Sequence, residues 1–193
     1  MIKTAIDNYK VIEDVVLLDS DSDGSHLATW YNVLNSYEKK FIMYTSENIM
    51  SVEFERCIKS VIGNTYYKEW QGLFGIPDYV CFSKGDGEID VISFELKLTN
   101  WRGALMQAFR YRSFSDYSYV VLPEETAIKA LEHLEMFIRY GIGLISFSNT
   151  IWDVKYSPLK QKPFSDNMRE KVESRIRKSR KRAKGNVKFL LSQ

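Results

Sequence analysis

The stretch Pro77-Asp78-Tyr79-Val80-Cys81-Phe82-Ser83-Lys84-Gly85-Asp86-Gly87-Glu88-Ile89-Asp90-Val91-Ile92-Ser93-Phe94-Glu95-Leu96-Lys97 decides how this chain folds. Two β-rich runs flank Asp86-Gly87. An Asp-Gly pair so placed is the strongest short hairpin signal and favours a two-residue type I′ turn. With that turn Gly85 faces Glu88, and counting outward puts Asp78 directly opposite Glu95. The alternation of pair types makes theirs a non-hydrogen-bonded pair, with Cα atoms about 4.5 Å apart. Like charges so opposed destabilise a sheet; a bound divalent cation would turn the repulsion into attraction. Lys97, two residues beyond Glu95, shares its face and brings an ammonium beside the carboxylates. This corner reads as a metal-dependent active site. Asp78 and Glu95 would be ligands of Mg²⁺, a hard cation that prefers oxygen donors and retains several waters.

The flanking segments extend the pattern. Between about 46 and 63 the spacing of Val52, Ile58, Val61 and Ile62 predicts an amphipathic helix, with Ser46 as its cap and Glu47 in its first turn. This helix carries Val52-Glu53-Phe54-Glu55-Arg56-Cys57-Ile58. Residues 100–115 read as a second helix, with Asn100 as N-cap and Gln107-Ala108-Phe109-Arg110-Tyr111 along it. An acid-bearing helix, Pro-Asp, then Glu-x-Lys and a further helix and strand: over roughly residues 50 to 148 the chain resembles the PD-(D/E)xK nuclease superfamily. Its Gln-x-x-x-Tyr is similar to that of the branch attached to recombination helicases.

The resemblance implies a restriction-endonuclease-like fold, an α/β sandwich with a central mixed β-sheet flanked by helices. It implies Mg²⁺, with Mn²⁺ as a substitute, and hydrolysis of DNA phosphodiester bonds by metal-activated water. It adds the Leu96 carbonyl to Asp78 and Glu95 as a metal ligand, and has Lys97 either orient the water or stabilise charge on the transition state. It also places an acid of the first helix at the metal centre. Glu55 is preferred to Glu53 there, because Ile58, Val61 and Ile62 at +3, +6 and +7 set it at the edge of the buried stripe. Gln107 and Tyr111 are i, i+4 neighbours; they would align the metal ligands or contact the substrate backbone, ordinary helix packing being the alternative. Arg102, Arg110 and Arg112 would hold phosphates or stand as solvated surface residues. Trp70, Trp101 and Trp152 read as packing residues rather than base-stacking platforms.

A net charge of +2 hides an uneven distribution. Residues 169–188 hold ten Lys or Arg against two Glu, a net +8 that leaves the rest of the chain at −6. Arg175, Arg177, Lys178, Arg180, Lys181, Arg182 and Lys184 would neutralise DNA phosphates and make affinity strongly salt-dependent. The alternative is a solvated, partly disordered tail or a protein-binding arm. Two cysteines, Cys57 and Cys81, make no disulfide framework and suit a reducing compartment. No apolar run approaches the ~18 residues of a membrane span, and the first residues lack a signal-peptide pattern. The expectation is a cytoplasmic protein with no membrane partner. With only His26 and His133, a His-rich zinc site has little to build on.

Three parts are expected: an N-terminal addition of unknown role (1–46), a nuclease core (47–157) and a basic C-terminal tail (158–193). Asp19-Ser20-Asp21-Ser22-Asp23-Gly24 imitates the start of an EF-hand loop, but the twelfth position is Trp30 rather than Glu, so it reads as a polar turn. After the second helix come a strand at 117–122, a helix from Pro123 to about Tyr140 and a strand at 142–147. Helix, hairpin, helix, strand, helix, strand is an α/β order. The favoured function is a Mg²⁺-dependent deoxyribonuclease of the restriction, repair or structure-specific kind, acting as a homodimer or within a larger nuclease assembly. The alternative is a non-catalytic DNA-binding or assembly subunit that retains the nuclease fold.

Overall fold

A computed structural model describes residues 44–85, 88–148 and 150–191. The EF-hand-like run and the Asp86-Gly87 turn lie outside these residues. The described residues fall in one compact unit, 41–193, so the basic C-terminal segment belongs to the same body as the sheet.

Five α-helices flank a six-stranded mixed sheet among the described residues. In chain order the elements are α1 (Glu47–Ile62), β1 (Tyr66–Lys68), β2 (Tyr79–Lys84), β3 (Ile89–Leu96), α2 (Trp101–Tyr111), β4 (Tyr117–Leu122), α3 (Glu124–Leu131), α4 (Leu134–Tyr140), β5 (Gly143–Ser148), β6 (Ile151–Tyr156) and α5 (Asp166–Lys178), followed by a 3₁₀ turn, Val187–Leu191. The strands lie in sequence order, β1 to β6. β3, β4 and β5 run parallel in the centre, with antiparallel strands on both sides.

The central strands are apolar on both faces because both faces are covered. On one side, Met50, Phe54, Ile58 and Ile62 of α1 pack on Tyr79, Phe94, Tyr119 and Phe147. On the other, α2, α3 and α4 cover Val120, Leu122 and Leu144. Beside them, Val172 and Ile176 of α5 cover Val80, Phe82 and Val91. The segment expected as a tail is therefore a core element. Arg169 ties it down, with bonds to Asp116 Oδ2 at 2.9 Å and to the carbonyls of Phe114 and Ile89.

Local chemistry explains the helix boundaries. Ser46 accepts a hydrogen bond from the Ile49 N–H and starts α1; Asn100 does the same for α2 through the Gly103 N–H. The helix expected from Pro123 to Tyr140 is two helices. The chain breaks at 132–133, where the His133 ring stacks on Trp101 with centroids 5.2 Å apart. Strands β1 and β6 go beyond the expected order, and both sit at sheet edges, where a strand needs only one strong pairing. No helix among the described residues is long and apolar enough to cross a membrane.

Candidate functional site

The β2–β3 pairing follows the register the turn dictates. Tyr79 pairs with Phe94 and Lys84 with Ile89, and the Gly85 N–H donates to the Glu88 carbonyl at 2.9 Å. Continued one and two steps past Tyr79, where β2 ends, the same register would set Asp78 opposite Glu95 and Pro77 opposite Leu96. That second pair is of the hydrogen-bonded type, in which each residue would give an N–H to the other's carbonyl. Proline has no N–H. The Leu96 carbonyl thus receives no ladder bond from Pro77, while the Leu96 N–H turns to the Asp78 side chain and donates to Oδ2 at 2.7 Å. Pro77 therefore offers no N–H to the Leu96 carbonyl, which belongs to the residue between Glu95 and Lys97.

Glu95 is 2 % exposed. Its Oε2 accepts from the Tyr111 hydroxyl at 2.6 Å, and its Oε1 lies 3.5 Å from the Lys97 ammonium. Burial, with the Asp78 charge adding to it, pushes the Glu95 carboxyl up to about 7. Burial also raises Asp78, against the opposing pull of the Leu96 N–H and Lys97. For Lys97 burial works downward, but Glu95 and Glu47 outweigh it and hold the ammonium protonated. Burial, then the Glu95 charge and hydrogen bond, raise Tyr111 and keep its hydroxyl a donor. That hydroxyl also lies 3.0 Å from the Ile76 carbonyl. Tyr111 is fully buried, so it aligns Glu95 rather than touching a substrate backbone. Gln107 stands half-buried one turn before it on the same helical face.

The acid of α1 that reaches this corner is Glu47, not Glu55. Glu47 Oε2 is 3.3 Å from Lys97 Nζ, and its Oε1 accepts from the Leu98 N–H at 3.4 Å. Glu55 is held by Lys59 at 2.9 Å, Tyr66 at 2.6 Å and Lys68 at 3.5 Å; the Lys59 and Tyr66 bonds lower it to about 2. Glu53 accepts from Tyr44. The sequence signal for Glu47 was its place in the first turn after the Ser46 cap, which reads equally well as a helix-dipole acid. A cavity of about 210 Å³ opens here, lined by Glu47, Asn48, Ser51, Lys68, Glu69, Asp78 and Leu96. Glu69 had no sequence signal.

Among the described residues no three His, Cys, Asp or Glu side chains converge as a ready-made metal cage. Two carboxylates and one backbone carbonyl are a donor set that suits Mg²⁺, which binds few protein ligands and keeps its waters. Both cysteines are free, and burial raises both thiols.

The expected phosphate contacts divide. Arg112 is turned into the fold, with Nη1 donating to the Tyr140 carbonyl at 2.7 Å, so it ends α2 rather than facing a phosphate. Arg102 lies over the Trp101 ring and reaches His133, and Arg110 is exposed. Arg175 covers Tyr67 and Trp70, and Arg177 pairs with Glu173. Lys181 and Lys184 hold the carbonyls of Tyr66 and Ser60. Lys178, Arg180 and Arg182 are exposed. Trp70, Trp101 and Trp152 are buried packing residues, as expected.

No family model matches the chain, and no curated protein and no solved structure is detectably similar to it.

Proposed function

We propose that this protein is a Mg²⁺-dependent deoxyribonuclease with a restriction-endonuclease-like fold. The observation that carries the reading is the corner where Asp78 accepts from the Leu96 N–H and its charge bears on the buried Glu95, while Pro77 has no N–H to give the Leu96 carbonyl. Asp78, Glu95 and the Leu96 carbonyl would hold the ion, with Mn²⁺ as a substitute. When bound, a divalent cation supplies Lewis-acid activation of the phosphate and of the attacking water.

The chain's own groups do the rest. Lys97, kept protonated between Glu95 and Glu47, offers an ammonium to the phosphate oxygens as charge builds on them. Tyr111 fixes the orientation of Glu95 through its 2.6 Å bond, and Gln107, one turn earlier on the same helical face, would assist it. Glu47 positions Lys97. Glu55 contributes to the packing of α1 against β1. Arg102, Arg110, Lys178, Arg180 and Arg182 offer exposed positive charge for DNA phosphates.

The test is cleavage of labelled linear, circular, single-stranded and branched DNA with Mg²⁺ or Mn²⁺, comparing wild type with Asp78→Ala and Lys97→Ala. Metal-dependent cutting lost in both variants supports the reading. Folded wild-type protein that binds DNA and cuts none of the panel supports the non-catalytic binding subunit instead.

A further inference from the structure

The loop joining β1 to β2, whose Ile76 carbonyl shares the Tyr111 hydroxyl with Glu95, presents two large apolar side chains to solvent. Phe74 is 54 % exposed and Ile76 is 48 % exposed. Single exposed apolar residues are ordinary; here two stand on one loop that Tyr111 ties to Glu95. No aromatic ring of the described residues stands against Phe74, whereas Tyr67 and Trp70 earlier in this region pack on each other.

The loop is held rather than slack. Lys171 donates to the Gly72 carbonyl at 2.6 Å, and the Tyr111 hydroxyl lies 3.0 Å from the Ile76 carbonyl. Gly75 has φ 98° and lies against the Tyr111 ring, where a Cβ would come 2.8 Å from Cε1. The same tyrosine therefore fixes both Glu95 and the residue next to Phe74. Three residues separate Phe74 from Asp78, so their Cα atoms stay within about 14 Å of each other. Cations border the loop: Lys171 at Gly72, Arg175 over Tyr67 and Trp70, and Lys68 in the cavity with Asp78.

A pre-placed aromatic ring bordered by cations is how proteins hold unpaired nucleic acid: bases stack on the ring while cations follow the phosphates. Within a duplex the base faces are already stacked and offer such a ring nothing. We infer that the β1–β2 loop seats an unpaired stretch of DNA, with Phe74 stacked on a base beside the phosphate addressed by Asp78 and Glu95. This deepens the nuclease reading and rests on it, naming single-stranded or frayed DNA as the substrate class.

The test uses the full chain in EDTA, with fluorescence anisotropy of a labelled oligo-dT and of a blunt hairpin duplex. Phe74→Ala is expected to weaken oligo-dT binding by at least about fivefold and duplex binding by less than about twofold, while Phe74→Tyr retains both. An unchanged oligo-dT affinity in Phe74→Ala, or equal loss on both DNAs, overturns the inference. Cleavage of the same DNAs with Mg²⁺ separates the two levels. Wild type that cuts DNA while Phe74→Ala leaves oligo-dT affinity intact retains the nuclease reading and discards the loop's role. Wild type that cuts nothing with either metal discards the nuclease reading, and the anisotropy still decides whether Phe74 binds unpaired bases.

Discussion

Replacing Glu95 with glutamine is expected to make the metal-free protein more stable at pH 8, although it removes a native ion pair. Glu95 sits 2 % exposed opposite Asp78, and its carboxyl is raised from 4.5 to about 7. A folded-state value above the unfolded one means that the folded protein binds the proton more tightly. The associated stability is full below about pH 4.5 and is lost as pH rises through about 7. That gap, at about 1.4 kcal/mol for each pH unit, is on the order of 3 kcal/mol at pH 8. Glutamine keeps an oxygen acceptor for Tyr111 and carries no charge at any pH. Lys97 then loses one of its two carboxylate neighbours, which trims the gain. The assay is urea unfolding in EDTA at pH 5, 6, 7 and 8 for both proteins. The variant's advantage is expected to grow from pH 5 to pH 8, and Mg²⁺ at pH 8 to stabilise wild type alone. A difference that is independent of pH, or a variant less stable at pH 8, refutes the reasoning.

Further outcomes follow from individual residues. Pro77→Ala supplies an N–H to the Leu96 carbonyl; the fold is expected to persist while Mn²⁺ affinity, read by titration, falls on the order of tenfold. Unchanged affinity would remove that carbonyl from the ligand set. Gly75→Ala forces φ 98° on a residue with a Cβ and drives it against Tyr111, so thermal unfolding is expected to show a loss of about 1–3 kcal/mol. A silent substitution would mean that the loop shifts freely. Changing Lys178, Arg180 and Arg182 together to Gln is expected to make the salt dependence of DNA binding shallower by about 2 to 3 in log–log slope. An unchanged slope would assign that charge to another partner.

The hairpin was legible because one turn fixes its whole register: Gly85 facing Glu88 implies Tyr79 facing Phe94, and the strands pair that way. Helix α1 was legible from its Ser46 cap. Its inward face was less so, since Met50 and Phe54 are buried and Val52 is exposed. The helix acid was misplaced for a physical reason. Helical spacing tells which residues share a face, but Glu47 reaches Lys97 because the start of α1 lies over the end of β3, a tertiary fact. The basic run read as a DNA-binding tail because its charges outnumber its apolar residues. Yet Val172 and Ile176, four apart, suffice to seat it, and Arg169 satisfies buried carbonyls. Arg112 was read by its charge alone, while its position at the end of α2 gives it a carbonyl to bind. The loop carrying Phe74 has no periodicity, so its exposure and its tie to Tyr111 emerge only from the folded chain.

The measurement closest to the central claim is the stoichiometry of Mn²⁺ binding at pH 8, followed by electron paramagnetic resonance without DNA. Specific binding in wild type that is lost in both Asp78→Asn and Glu95→Gln is the predicted result. Binding that is equally strong in all three proteins would contradict it and remove the opposed carboxylates from any metal-dependent chemistry.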